Sequence, residues 1–155
     1  VNKWDLVENP QEVLLELKEK LGRLLPQIRG VPIVTFSALS GRGVDKLMPK
    51  IEEVHRVWNA RVSTSRLNKW LDMVRSKNPP PASKGRPVSL RYATQVKSRP
   101  PTFAVFSSRA HEVPTSYKRY LVNTLRETFD LPGVPIRLFM RRGDNPFASK
   151  AKKRS

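Results

Sequence analysis

The run Asn2-Lys3-Trp4-Asp5 carries the sharpest chemistry in this chain. A carboxylate held in the plane of a purine accepts from two neighbouring N–H donors at once. Guanine presents such a pair on its ring nitrogen and exocyclic amine; adenine does not. An aspartate in that role discriminates strongly, because against adenine it is left unpaired. Asn2 can reach the imidazole edge of the same base, and the stem of Lys3 can lie along its face. Ser37, Ala38 and Leu39 supply a second piece of the same chemistry. A backbone N–H beside Ala38 can contact the guanine oxygen, and the small side chain permits close approach. A helix-capping loop and an ordinary strand end would also use these residue types, so the weight lies in finding both pieces in order.

Other chemistry is absent. No G-x-x-x-x-G-K-[ST] loop cradles phosphates, and no D-x-x-G element stands upstream to help hold magnesium. These residues are expected neither to hydrolyse GTP nor usefully to bind it. The chain opens on Val1 without a Met, in a dense motif, and is expected to be a piece of a longer protein. With no cysteines, disulfides, thiolate chemistry and cysteine-based zinc sites are excluded, and a cytoplasmic protein fits best. His55 and His111 lack triad partners and metal-ligand spacing and read as structural. Glu52 and Glu53 are adjacent on a helix and cannot converge as an acid/base pair.

The elements that must position the two pieces follow from periodicity. Val13, Leu14, Leu17, Leu21, Leu24 and Leu25 share one face of a helix expected from Pro10 to about Gln27. Asn9 is its expected cap, with Pro10 at the first helical position and Glu12 three residues after the cap. Val31–Phe36 reads as a buried strand running into the Ser37–Gly43 loop. A second helix carries Val44, Leu47, Met48, Ile51, Val54 and Trp58, and Pro49 should kink it or delay its regular start. Helix, strand, loop and helix form the end of an α/β sandwich, and one strand with two helices is not a domain.

The remainder has its own order. Ser63-Thr64-Ser65 offers caps for a helix carrying Leu67, Trp70, Leu71 and Val74, which Asn78-Pro79-Pro80-Pro81 stops. Val88, Leu90, Tyr92, Thr94 and Val96 alternate with Ser89, Arg91, Ala93, Gln95 and Lys97, predicting a strand with one wet face. Ser98–Pro101 turns into a second, more apolar strand, Thr102–Ser107. Thr115 or Ser116 caps a helix through Phe129 that turns Tyr117, Tyr120, Leu121, Leu125 and Phe129 inward. Ile136, Leu138 and Met140 alternate in a last strand. The order α-β-β-α-β predicts an α+β domain, a three-stranded sheet with two helices on one face. The basic tail 144–155 is expected to be disordered. The boundaries expected are 1–59, 60–143 and 144–155.

Charge separates the halves more sharply than any linker. The formal net charge is +17. Residues 1–59 hold nine Lys/Arg against eight Asp/Glu, and residues 60–155 hold 21 against five. Such imbalance repels itself unless a polyanion is the partner, and counterion release from phosphates then favours binding. No apolar run approaches the roughly 20 residues that span a bilayer.

The two motifs together resemble the fourth and fifth guanine-recognition elements of P-loop GTPases. The second half resembles the C-terminal domain of the Der (EngA) GTPases, through the runs Arg61–Asn68, Asn78–Pro81, Tyr92–Val96, Arg99–Phe103, Ser116–Leu121 and Gly133–Leu138. The resemblance covers residues 1–147 in order and spacing. It implies two tandem GTPase domains in a parent that hydrolyses GTP, with GTP or GDP as its ligand. This chain would retain the end of the second domain, with Asn2, Lys3, Asp5, Ser37, Ala38 and Leu39 at the guanine. It also implies a KH-like fold, ribosomal RNA and the large ribosomal subunit as partners beside the missing GTPase domains, and a role in assembling that subunit.

Typical KH domains clamp nucleotides with a GXXG loop between two helices, and none occurs in residues 60–155. Recognition then falls to phosphate contacts. Candidates are Lys84, Arg86, Arg91, Lys97 and Arg99 around the first strand, Lys118 and Arg119 on the second helix, and Arg137, Arg141 and Arg142 on the last strand. Solvated surface charge accounts for some of these, and Tyr92 is expected to pack rather than stack bases. A second reading is an interaction module that packs on the GTPase domains and transmits nucleotide state.

Overall fold

The computed structural model describes residues 1–143, so the basic tail lies outside the described residues. The chain forms helices α1 (Pro10–Leu24), α2 (Leu47–Trp58), α3 (Thr64–Lys77) and α4 (Thr115–Thr128), and strands β1 (Leu90–Lys97), β2 (Thr102–Ser107) and β3 (Arg137–Arg142). The strands lie in the order β1-β2-β3. β1 runs antiparallel to β2, and β3 parallel to it. The last connection needs a crossover, which α4 provides. α3 packs on β1, α4 on β3, and the two helices touch each other. This is the expected α+β arrangement.

One core fills the space between sheet and helices. Leu67, Leu71 and Val74 of α3, Leu121 and Leu125 of α4, and Leu90, Phe103 and Val105 of the sheet are all but sealed from solvent. Ser63 caps α3 by accepting from the Arg66 N–H at 3.4 Å, satisfying one of the orphan donors of the first turn.

The first half has no comparable core. Among residues 1–61 only Ser37 is buried. Val54, Val57 and Trp58 lean instead on the core of the second half. Pro49 falls in the first turn of α2, where its missing N–H costs nothing, and a 3-10 turn at Val44–Lys46 precedes it, so the delayed start is realised.

Several local expectations are corrected. Val31–Phe36 is half-buried and lies outside the assigned strands. Its apolar side chains fit a sheet, but among the described residues its extended partner is Val1–Trp4. α1 ends at Leu24, and Asn9 makes no side-chain cap. α4 begins after Pro114, so Thr115 is its first residue rather than its cap. The alternation in β1 breaks at irregularities between Leu90 and Tyr92 and between Gln95 and Lys97. Ala93, expected on the wet face, therefore joins the core, while Val96 is exposed. No helix of the described residues is long and apolar enough to cross a membrane.

Candidate guanine and nucleic-acid sites

The two pieces of the candidate guanine motif meet. Val1 N donates to the Val34 carbonyl at 2.7 Å, the Phe36 N–H donates to the Val1 carbonyl at 3.0 Å, and the Trp4 N–H donates to the Phe36 carbonyl at 3.1 Å. This is parallel pairing. It delivers Asn2–Asp5 and Ser37–Leu39 to the same end of two neighbouring segments. The Asn2 side-chain oxygen accepts from the Lys3 N–H at 2.7 Å and from the Ala38 N–H at 3.0 Å, tying the pieces together. The Ala38 N–H is thus taken by Asn2 here, within the loop where the sequence reading places a backbone donor to the guanine oxygen beside Ala38.

Backbone geometry holds the rest. Lys3 sits in the left-handed region at φ 62°, ψ 33°, a conformation that costs a residue with a Cβ about 1 kcal/mol. Ser37 is buried; its hydroxyl accepts from the Ser40 N–H at 3.2 Å and its own N–H donates to the Arg42 carbonyl at 2.9 Å. Gly43 closes the loop at φ 79°, where an added Cβ would stand 2.7 Å from the Thr35 carbonyl oxygen. Lys3, Asp5, Ala38 and Leu39 are exposed.

The cations of the second half fall into separate groups. Lys84 and Gly85, both at positive φ, form a two-residue turn between the paired Ser83 and Arg86. Arg91 and Lys97 lie on β1, and Arg99 in the turn after it. Arg137 and Arg141 share the exposed side of the edge strand β3 with the half-exposed Phe139, and Arg142 ends that strand. Lys118 and Arg119 lie on α4 and face a cleft beside β3. Tyr92 is buried against Phe106, ring centres 6.0 Å apart, in keeping with packing.

Two arginines escaped the sequence reading. Arg126 is 7% exposed, and its Nη1 donates to the carbonyls of Leu131 at 2.7 Å and Val134 at 2.8 Å. Its Nη2 donates to the Gln27 carbonyl at 2.9 Å, across the two halves. Burial lowers its pKa, and the nearby charge of Arg29 adds to the effect. Arg29 itself lines the cleft with Lys118 and Arg119, and its carbonyl accepts the Gly133 N–H at 2.8 Å. Nothing in the local sequence marks either residue, because the partners are backbone groups, the Leu131 and Val134 carbonyls just past α4 and others remote along the chain. His55 pairs with Asn59 and His111 with Glu112, and no metal-binding group of His, Cys, Asp and Glu forms among the described residues.

A three-stranded mixed sheet with both helices on one face defines a KH-like α+β domain. Where a clamp loop would stand, only Val113 and Pro114 separate the 3-10 turn Ala110–Glu112 from α4. The chain belongs to the Der (EngA) GTPase family: residues 61–141 match the family described as the KH-domain-like of EngA bacterial GTPase enzymes, C-terminal. The GTPase Der of Parvibaculum lavamentivorans is 73% identical over 99% of this chain. Those of Mesorhizobium japonicum and Brucella suis are 57% and 56% identical over the same share. In each case the match covers 32% of the relative, so the chain spans about a third of their length.

Proposed function

We propose that this chain is the RNA-gripping end of a GTPase that acts in assembly of the large ribosomal subunit. Residues 1–59 close the guanine site of the preceding GTPase domain, residues 60–143 form the RNA-binding domain, and GTP or GDP is the ligand of the whole protein. The observation that carries the RNA reading is the charge: 17 basic against four acidic side chains in residues 60–143, on a domain whose clamp loop is missing, and 21 against five once the tail is included. Lys84, Arg86, Lys97, Arg99, Arg119, Arg137, Arg141 and Arg142 are all exposed, and Lys118 is half-buried in its cleft. Spread over both sheet edges and α4, they suit a shaped polyanion better than a short sequence motif. Asn2, Lys3, Asp5, Ser37, Ala38 and Leu39 are assigned to the guanine on the strength of their shared end and the Asn2–Ala38 bond.

Fluorescence anisotropy with labelled fragments of large-subunit RNA tests the reading. Binding at low salt, weakened by charge reversal at Arg137 and Arg141, is expected. Absence of binding at low salt overturns it and leaves the domain as a module that packs on the GTPase domains.

A further inference from the structure

We propose that Arg29 of the first half joins Lys118 and Arg119 of α4 in one composite phosphate-binding cleft, through which an RNA strand contacts both halves of the chain. The inference rests on the RNA-binding reading above and adds a residue from outside the KH-like domain. The cleft encloses about 550 Å³ between the α1-to-Val31 connection, the first turns of α4 and β3. That volume lies in the range of roughly 300–1,000 Å³ typical of small-ligand sites and admits a nucleotide unit.

The lining is one-sided in charge. Arg29, Lys118 and Arg119 face it, Gln27 and Asn123 add amides, and no carboxylate is present. Lys50–Glu53, Asp72–Arg75 and Arg109–Glu112 pair elsewhere, with His111 beside Glu112, and none of the three cleft cations shares in these pairs. Cations gathered round a concavity without a counter-charge repel one another, and a phosphodiester relieves that repulsion while accepting their hydrogen bonds. Ile136 and Leu138 give the same cleft an apolar wall against which a sugar or base can rest.

The position of Arg29 is fixed rather than incidental. Its carbonyl accepts the Gly133 N–H at 2.8 Å, and the Arg126 guanidinium holds the neighbouring Gln27 carbonyl at 2.9 Å. Gly30 and Gly133 let the two backbones close together: a Cβ on Gly30 would stand 3.0 Å from Pro132 Cβ, and one on Gly133 3.0 Å from Pro32 Cδ. The charge of Arg29 is felt at buried Arg126, so the field behind the cleft is also positive. The connection carrying Arg29 leads directly through Val31–Phe36 to the Ser37–Leu39 loop. An RNA contact at Arg29 therefore bears on the same segment that forms the guanine motif.

The test uses the intact chain and a short labelled single-stranded RNA, read by anisotropy across a salt series. Arg29→Ala is expected to weaken binding about tenfold, the loss of one charge-assisted contact. It should also reduce the slope of log K against log salt by about 0.7. Lys118→Ala should behave alike, and Arg29→Lys should restore most of the slope. Arg23→Ala, exposed at the end of α1 and outside the cleft, is the control and should stay within about twofold, as solvated charges do. The Arg29 variants keep the backbone bond to Gly133, and a thermal melt confirms that they fold. Wild-type binding with Arg29→Ala no weaker than Arg23→Ala overturns the cleft alone. No wild-type binding overturns the RNA reading and the cleft together. Displacement of RNA by millimolar inorganic phosphate at constant ionic strength, lost in Arg29→Ala, assigns the cleft to free phosphate and also overturns the proposal.

Discussion

Replacing Arg126 by Met removes the side-chain bond from α4 to the first half while keeping much of the length and the apolar stem of the side chain. Three carbonyls lose their donor: Leu131, Val134 and Gln27. Leu131 and Val134 belong to buried residues, whereas Gln27 is exposed and takes water instead. Two carbonyls stranded away from water cost about 1–3 kcal/mol each. Part of that is returned, because the guanidinium is itself buried and its Nε has no partner. The net loss should be about 3 kcal/mol, which for a chain of this size lowers Tm by about 6–12 °C. Arg126→Lys should fall almost as far, since one ammonium cannot span carbonyls on both sides of a planar fork. Thermal denaturation followed by circular dichroism reads the shift. Amide exchange at Gly133, whose N–H is donated to the Arg29 carbonyl, reads the junction itself. A Met variant melting within about 2 °C of the parent, with Gly133 exchange unchanged, would refute the assignment of Arg126 as the link.

Burial, with the nearby Tyr120 adding to it, pushes the Tyr117 hydroxyl from its ordinary value near 10 up to about 12. The folded state thus favours the neutral phenol that donates to the Asn78 carbonyl at 2.7 Å. This stabilisation is complete below about pH 10 and is lost as pH rises toward about 12. Ultraviolet titration should show a late tyrosine step, and Tyr117→Phe should abolish it. Gly43→Ala should destabilise the loop by about 1–3 kcal/mol, because the new Cβ meets a backbone oxygen in a left-handed conformation. Gly41→Ala, at φ 75° with nothing within 4 Å, should cost less in the same urea titration. Amide exchange should be much faster across Val31–Phe36 than across β2, since the former has no core beneath it. Equal protection would mean that the two halves unfold as one unit.

The helices of the second half were legible because their apolar residues recur at helical spacing on strong caps and stops, as in Ser63 to Asn78. β2 and β3 were legible from alternation and composition. The burial of Val31–Phe36 was misread because apolar content reports what a segment suits, not whether neighbouring strands are there to cover it. Ala93 was misplaced because an irregularity in β1 shifts the alternation, and one extra residue in a ladder leaves no mark in composition. The meeting of Asn2 with Ala38 was half visible: the types and order of residues suggested a shared site, but not that the Asn2 oxygen would take the Ala38 N–H. Arg29 and Arg126 were invisible because each is defined by backbone groups that meet at the turn around Gly133, distant in sequence from Arg29, as Gln27 is from Arg126. A helical arginine reads as solvated until the fold brings such acceptors to it.

The central claim is that the second half grips RNA through its phosphates, and the salt dependence of binding tests it most directly. If about half of the ten candidate cations make contacts, log K for single-stranded RNA should fall against log salt with a slope of about −3 to −4. Tight binding with a slope near zero would contradict the account, since recognition would then rest on something other than the charge that sets this half of the chain apart.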